Sequence, residues 1–381
     1  MLITHAAVRL FPSSTAETTW RVTNLDTCVE YRCGRLATML LIAFADGDEE
    51  GSVTDNFVAE YSFPRDLVFE AIERLCGLGL LVEGSDESHR RTQSLLSEWA
   101  AFGWVDSADY HLATRNYPFV DYSVDGRKLD FERMVSYVRS APDLERTKAF
   151  SKTIRRYPAP TTSVALSALD EPFSTVWLGQ PDLEPCTRQR CLLLLSVVYG
   201  QLRTRSLADD KSLMADAIGK TSPSGGSRHP TEAYLFAFGV RNLENGIYHF
   251  NVADSTLDKI RCFDASAENL QRLFSGPLRA SFKVHAIIVM TSVFERSMYR
   301  YREPRSFRAI YMDVGHLSGT LDVTAKALHM NCLVQHGLND RAVGELLGLD
   351  LLTEGVIYGA AIGGSSSPSV SELSTLSETN A

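Results

Sequence analysis

Residues 222–234 of this 381-residue chain, SPSGGSRHPTEAY, set three hydroxyls, two adjacent glycines and an Arg-His pair directly ahead of an apolar strand. Gly225 and Gly226 carry no Cβ, so backbone N–H groups there can come close to a ligand. Ser222, Ser224, Ser227 and Arg228 are donors for ligand oxygens or a phosphate, His229 shapes the loop, and Pro223 and Pro230 stiffen it. The same residues would also suit an ordinary Gly-Pro turn between a helix and a strand. Further on, MYRYREPRSFRAIYMDVGH places Arg300 beside Tyr301, with Arg308 and His316 following. Arg300 stays protonated and can only orient a group or stabilise developing charge. The plainer reading of this pair is an exposed strand end with a solvated guanidinium, and that of His316 is structural.

The elements around these residues read as α+β. RQRCLLLLSVVYGQLR is apolar on most sides and is expected as a buried helix, while AYLFAFGV, GIYHFNV, TLDKIRCF and HAIIVMTSVF are strands by their β-branched and aromatic content. A long helix follows, with Val314, Leu317, Leu321, Ala325 and Leu328 along its apolar side, then a short helix in DRAVGELLGLD and a last strand, EGVIYGAAIG. Helices gathered against one mostly antiparallel sheet give this class, with no Rossmann repeat. Residues 1–85 form a separate pattern: strands in LITHAAVRLF and WRVTNLDTCVEYR, a helix in RLATMLLIAFAD, a second helix opened by Pro64, and a short strand, LLVEG. This is the plan of a small winged helix. Residues 86–160 are expected as a helical and extended linker, 161–365 as the main domain, and 366–381 as a disordered Ser-rich tail.

Composition narrows the function classes. A net charge of -9 with scattered basic residues argues against nucleic-acid binding. The seven cysteines form no CxxC and no zinc-type cluster, so they read as reduced thiols and a metal site is not expected. No signal-peptide pattern and no apolar run of membrane-spanning length occurs, which gives a cytoplasmic expectation with no membrane partner.

With these elements in order, residues 166–364 resemble the nitroreductase superfamily and, within it, the SagB-type dehydrogenases. The resemblance rests on SPSGGSRHPTEAY, on RYREPRSFRAIYMDVGHLSGTLDVTAKALHM and on the closing GVIYGAAIG. It implies a nitroreductase-like fold and an FMN-dependent oxidoreductase of peptide maturation, usually a homodimer with flavin at the subunit interface. The first 85 residues look like PqqD-type peptide-recognition domains, which take a leader peptide as an added strand. The plainer alternative is a domain that only packs on its neighbour.

The implied reaction is dehydrogenation of thiazoline or oxazoline rings to azoles in a ribosomally made precursor peptide, with a cyclodehydratase or other maturation enzyme as a partner. The alternatives are reduction of a dehydroamino acid and a non-catalytic scaffold that has lost flavin. Two departures from the family pattern matter. Azoline-oxidising members carry a Lys-Tyr pair for proton transfer where this chain has Arg300 and Tyr301, so the resemblance implies that Tyr301 must act alone, with a pKa expected to be lowered by Arg300. The Arg-rich stretch that grips the FMN phosphate is replaced by LDEPFSTVWLG. Phosphate binding then falls to Arg203, Arg205, Lys220, Arg228 or Arg308.

Overall fold

A computed structural model of the chain describes residues 1–12, 19–117, 123–140, 145–169, 183–205 and 217–364. They divide into two compact units, 1–126 and 127–381.

The first unit opens with β1 (Leu2–Thr4), β2 (Val8–Pro12), β3 (Trp20–Asn24) and β4 (Val29–Cys33), continues with α1 (Arg35–Ala43), α2 (Glu50–Tyr61) and α3 (Arg65–Gly77), and returns as β5 (Leu81–Glu83). β2, β3 and β4 form an antiparallel sheet in that order, and β1 pairs with β5. Val22, Leu40, Leu41, Phe44, Phe57, Val68, Ile72 and Leu80 fill its core. α2 is not legible in the sequence because only Val53, Thr54 and Phe57 are buried along a polar, Gly-containing segment.

α4 (Glu87–Ala101) and α5 (Val105–Arg115) lie within this unit rather than in a linker. The aromatic residues of 104–117 predict an extended stretch, but Ala108 and Leu112, one turn apart, are buried on one face, and the backbone is helical to Arg115.

α6 (Gly126–Ser140) starts at the division between the units, and in the second unit β6 (Arg155–Pro158), from the end of the expected linker, is one edge strand of the main sheet. The elements that follow are α7 (Thr162–Ser167), α8 (Arg188–Tyr199), the short pair β7 (Arg203–Arg205) and β8 (Ala217–Gly219), β9 (Thr231–Ala237), β10 (Gly246–Asn251), β11 (Thr256–Arg261), α9 (Ala267–Leu273), β12 (Val284–Val293), α10 (Phe294–Arg300), α11 (Phe307–Ala327), β13 (Asn331–Gln335), α12 (Asp340–Leu347) and β14 (Glu354–Gly363). Seven strands in the order β13-β14-β12-β9-β10-β11-β6 form one sheet, every pair antiparallel.

Alternation along the strands sends Leu235, Ile288 and Met290 to one face, against α8 and α11, and Tyr234, Phe236, Ile287 and Val289 to the other, against α9 and α12. Burial on both faces explains why β9 and β12 read as almost continuous apolar runs. The expected α+β class with a small domain ahead of it is therefore observed. The Ser-rich tail and most of LDEPFSTVWLG lie outside the described residues.

Candidate functional site

The glycine loop is held from one side by α11. That helix buries Ile310, Asp313, Val314, Leu317, Leu321 and Ala325, a 3.6-residue stripe interrupted by one carboxylate. Asp313 uses it to grip the loop: Ser224 Oγ donates to Asp313 Oδ2 at 2.6 Å and the Gly225 N–H donates to Oδ1 at 3.0 Å. Two helical turns further on, Thr320 Oγ1 hydrogen-bonds Ser222 Oγ at 2.6 Å. Ser224 Oγ also accepts the His229 N–H at 2.9 Å. Ser222, Ser224 and the Gly225 N–H are thus engaged in fixing the loop's shape, where the sequence reading aimed them at a ligand. Burial pushes the Asp313 carboxyl up in pKa, opposed by these two hydrogen bonds.

The backbone is left-handed at Gly226 (φ 58°), and also at Ser227 (55°) and His229 (47°). Non-glycine residues in that region cluster where surrounding structure imposes a shape, as at ligand clamps. Gly226 has a second reason to be glycine: a Cβ there would lie 2.9 Å from the Tyr301 hydroxyl. Tyr301 therefore stands directly over the glycine pair. It follows the C-terminus of α10, so Arg300 and Tyr301 lie at a helix end rather than the strand end considered from sequence.

Arg300 makes two hydrogen bonds to the Asp130 carboxylate, at 3.0 and 2.6 Å, and lies 4.9 Å from the centre of the Tyr301 ring. The expectation that Arg300 lowers the Tyr301 pKa is corrected here. Burial, the larger influence, raises it, and Arg300 and Arg228 only partly oppose that rise. The phenol is held protonated.

Arg228 is 4% exposed, and its Nε and Nη1 have no hydrogen-bond partner among the described residues. Its guanidinium faces the Tyr299 ring at 5.4 Å, and that of Arg146 approaches the same ring at 5.6 Å. Burial, with the charges of Arg146 and Arg300 beside it, lowers the Arg228 pKa to about 10. A buried guanidinium with unmet N–H groups and two like-charged neighbours is costly by itself, and an anion would relieve it.

Beneath the loop lies a buried cluster that the sequence reading missed. Glu232 accepts from Arg296 Nη1 at 2.5 Å and bonds His249 Nε2 at 2.7 Å. Burial pushes Glu232 up, but the His249 hydrogen bond and the charges of Arg296, His249 and Lys220 outweigh it and hold the carboxyl at about 2. Lys220, also buried, is lowered to about 8 by desolvation. The available signal was an acid and a histidine inside two otherwise apolar strands, TEAYLFA and GIYHFN.

The remaining phosphate candidates sit on different elements. Arg203 is exposed on β7 with its stem across Gly219, Arg308 is half-buried in the first turn of α11, and the side chain of Arg205 lies outside the described residues. Pro223 and Ser227 belong to the loop, and Pro230 ties it to the sheet by accepting the Val293 N–H at 2.9 Å. His316 is exposed, and its carbonyl accepts from Thr320 at 3.1 Å. Among the described residues, no group of three or more His, Cys, Asp or Glu side chains could hold a metal ion, and no helix is long and apolar enough to cross a membrane.

Residues 206–364 match the nitroreductase family. The Trifolitoxin-processing protein TfxB of Rhizobium leguminosarum bv. trifolii is 27% identical over 308 residues, 80% of this chain and 81% of TfxB. The Trifolitoxin operon protein TfxC of the same organism is 24% identical over 261 residues, 65% of this chain and 68% of TfxC. Among solved structures, an Anabaena variabilis protein assigned to the nitroreductases aligns with a TM-score of 0.45 at 23% identity over 62% of this chain, which spans 45% of that protein. A chain of the E. coli Microcin synthetase McbBCD complex with truncated pro-MccB17 bound aligns with a TM-score of 0.40 at 18% identity, over 61% of this chain and 82% of that one.

Proposed function

We propose that this chain, whose residues 206–364 form a nitroreductase-family domain, is an FMN-dependent oxidoreductase that modifies a ribosomally synthesised peptide. The observation that carries the reading is Arg228, buried within the glycine loop with N–H groups unmet and no carboxylate bound to it among the described residues, which suits a phosphate or a flavin oxygen. The glycine pair beneath Tyr301 suits a flat ring that must come close to backbone. FMN, when bound, supplies two-electron chemistry. Around it, Asp313 keeps the loop in shape, Arg228 binds the anionic part, and Tyr301 holds a proton at its hydroxyl. Asp130 fixes Arg300, which orients Tyr301 and cannot itself serve as a base. Arg203, Arg205, His229 and Arg308 complete the proposed binding set.

The relatives support the peptide as substrate, TfxB being a processing protein matched along most of its length. Dehydrogenation of an azoline ring is the reaction the family resemblance implies. One observation favours the opposite electron flow: burial keeps the Tyr301 hydroxyl protonated, a state that can give a proton to a substrate carbon and cannot take one from it, which suits reduction of a dehydroamino acid. The first unit is proposed to hold the leader or a partner enzyme by strand addition at a free edge of the β2-β3-β4 sheet, raising the local concentration of the core peptide. On α11, the exposed Tyr311 and Met312, with Gly315 and Gly319 open beside them, are the proposed packing surface for a second copy.

The test is direct. The full chain is incubated with FMN and desalted, then mixed with precursor peptide in two arms, one in air with the flavin oxidised and one without oxygen after the flavin is reduced with dithionite, and both are followed by mass spectrometry. Retained flavin colour and a loss of two hydrogens support dehydrogenation, a gain of two supports reduction, and a colourless protein removes the enzyme reading.

A further inference from the structure

A cleft of about 610 Å³ opens beside Tyr301, between α10, the turn at 301–306, the first turn of α11 and the loop before β14. Phe294, Met298, Phe307, Ile310 and Leu352 give it an almost wholly apolar wall. Met298 is 54% exposed, Phe307 39% and Leu352 88%, so apolar surface is left in water at a standing cost. The wall is built rather than incidental: Phe294 packs on Phe307 with ring centres 5.9 Å apart, and Gly355 leaves the space that the Phe294 ring enters.

Charged groups are confined to its edge, where Arg302 lies 3.8 Å from the centre of the Tyr137 ring and Glu303 accepts the Ser306 hydroxyl. Tyr301 belongs both to this cleft and to the glycine loop, so whatever fills the cleft lies next to the proton-bearing hydroxyl.

We infer that the cleft is a specificity subsite that receives an apolar or aromatic side chain of the peptide within about two residues of the modified one, given roughly 3.4 Å per extended residue. The inference rests on the peptide-oxidoreductase reading above. The volume lies in the range of small-ligand sites and exceeds one side chain, leaving room for the adjoining backbone. An acidic side chain set against the wall of Phe294, Met298, Phe307 and Leu352 would lose hydration that apolar groups cannot replace.

The probes are two blocked peptides, acetyl-Gly-Phe-Cys-Gly amide and acetyl-Gly-Asp-Cys-Gly amide, titrated into the full chain incubated with FMN and followed by NMR. The phenylalanine peptide should bind at least tenfold more tightly. Met298→Asp and Leu352→Asp, both at exposed positions and so compatible with folding, should each erase most of that preference while flavin retention stays unchanged. Equal binding of the two peptides, or a preference that survives both substitutions, overturns the inference. So does conversion of a wild-type dimer to a monomer by Met298→Asp, which would make the cleft a contact between copies. A protein that keeps the phenylalanine preference but takes up no FMN sinks the oxidoreductase reading and leaves the subsite standing.

Discussion

At the scale of single residues, Arg228 and Tyr301 carry different burdens and should fail differently. Arg228 is a buried cation without a bonded acid among the described residues, so Arg228→Met removes a desolvated charge and should leave the melting temperature of the flavin-free protein unchanged or raise it. The same change removes hydrogen bonds of the charge-assisted kind, each worth about 1.5–3 kcal/mol, and should weaken FMN binding ten- to a hundredfold. Calorimetry and flavin titration read the two effects separately; a large loss of thermal stability with flavin affinity intact would make Arg228 structural. Tyr301→Phe keeps the ring over Gly226 and removes only the proton carrier. Turnover should drop by about 10² or more with flavin retention unaltered, and unchanged turnover would take Tyr301 out of the mechanism. Arg228 draws attention in the sequence because it follows two adjacent loop glycines, and Tyr301 because the family resemblance marks its position. Asp313 was hidden: its role depends on its facing the loop from a helix whose visible message is an apolar stripe.

At the scale of elements, the buried Glu232 ties β9 to β10 through His249 and to α10 through Arg296, fixing the segments on either side of the site. Its carboxyl lies at about 2 in the fold against 4.5 unfolded, so the unfolded chain takes up the proton first. The stability it contributes is complete above about pH 4.5 and is lost as pH falls toward 2, on the order of 3 kcal/mol in all. Glu232→Gln should cost several kcal/mol at neutral pH, because Arg296 and Lys220 lose their counter-charge. The gap from wild type in urea denaturation should narrow between pH 4.5 and 2; parallel stability curves across that range would show that Glu232 is not held low. Strands β9 to β12 and α11 could be read from sequence because period and β-branched content agree with their final environment. β13, α2 and α10 could not, since short elements with mixed residues acquire their form from what they pack against.

At the scale of the whole chain, the expected boundary near residue 85 and the observed division at 126 make opposing demands on stability. The sequence reading stopped at β5 because the strand-helix pattern closes there, and the texture of 86–117 is aromatic and polar. The folded unit uses that segment: Leu112 joins Ala7 and Leu25 in a small buried cluster, Arg9 bonds both oxygens of Asp109 at 2.8 and 2.6 Å, and the Ala6 N–H donates to His89 Nδ1 at 3.1 Å. A fragment of residues 1–126 should therefore melt cooperatively, having a core of its own and a length well above that at which single domains fold. A fragment of residues 1–85 loses the burial of Leu112, about 2–3 kcal/mol, together with the Arg9–Asp109 pair. Its melting temperature should fall by about 10 °C or more, since 1 kcal/mol shifts a domain of this size by roughly 4–8 °C. Equal melting temperatures would return α4 and α5 to the status of a linker. If only the longer fragment melts cooperatively, peptide binding by the first unit must be measured on residues 1–126, because β2, whose Arg9 is held by α5, is one edge of the sheet proposed to receive the added strand.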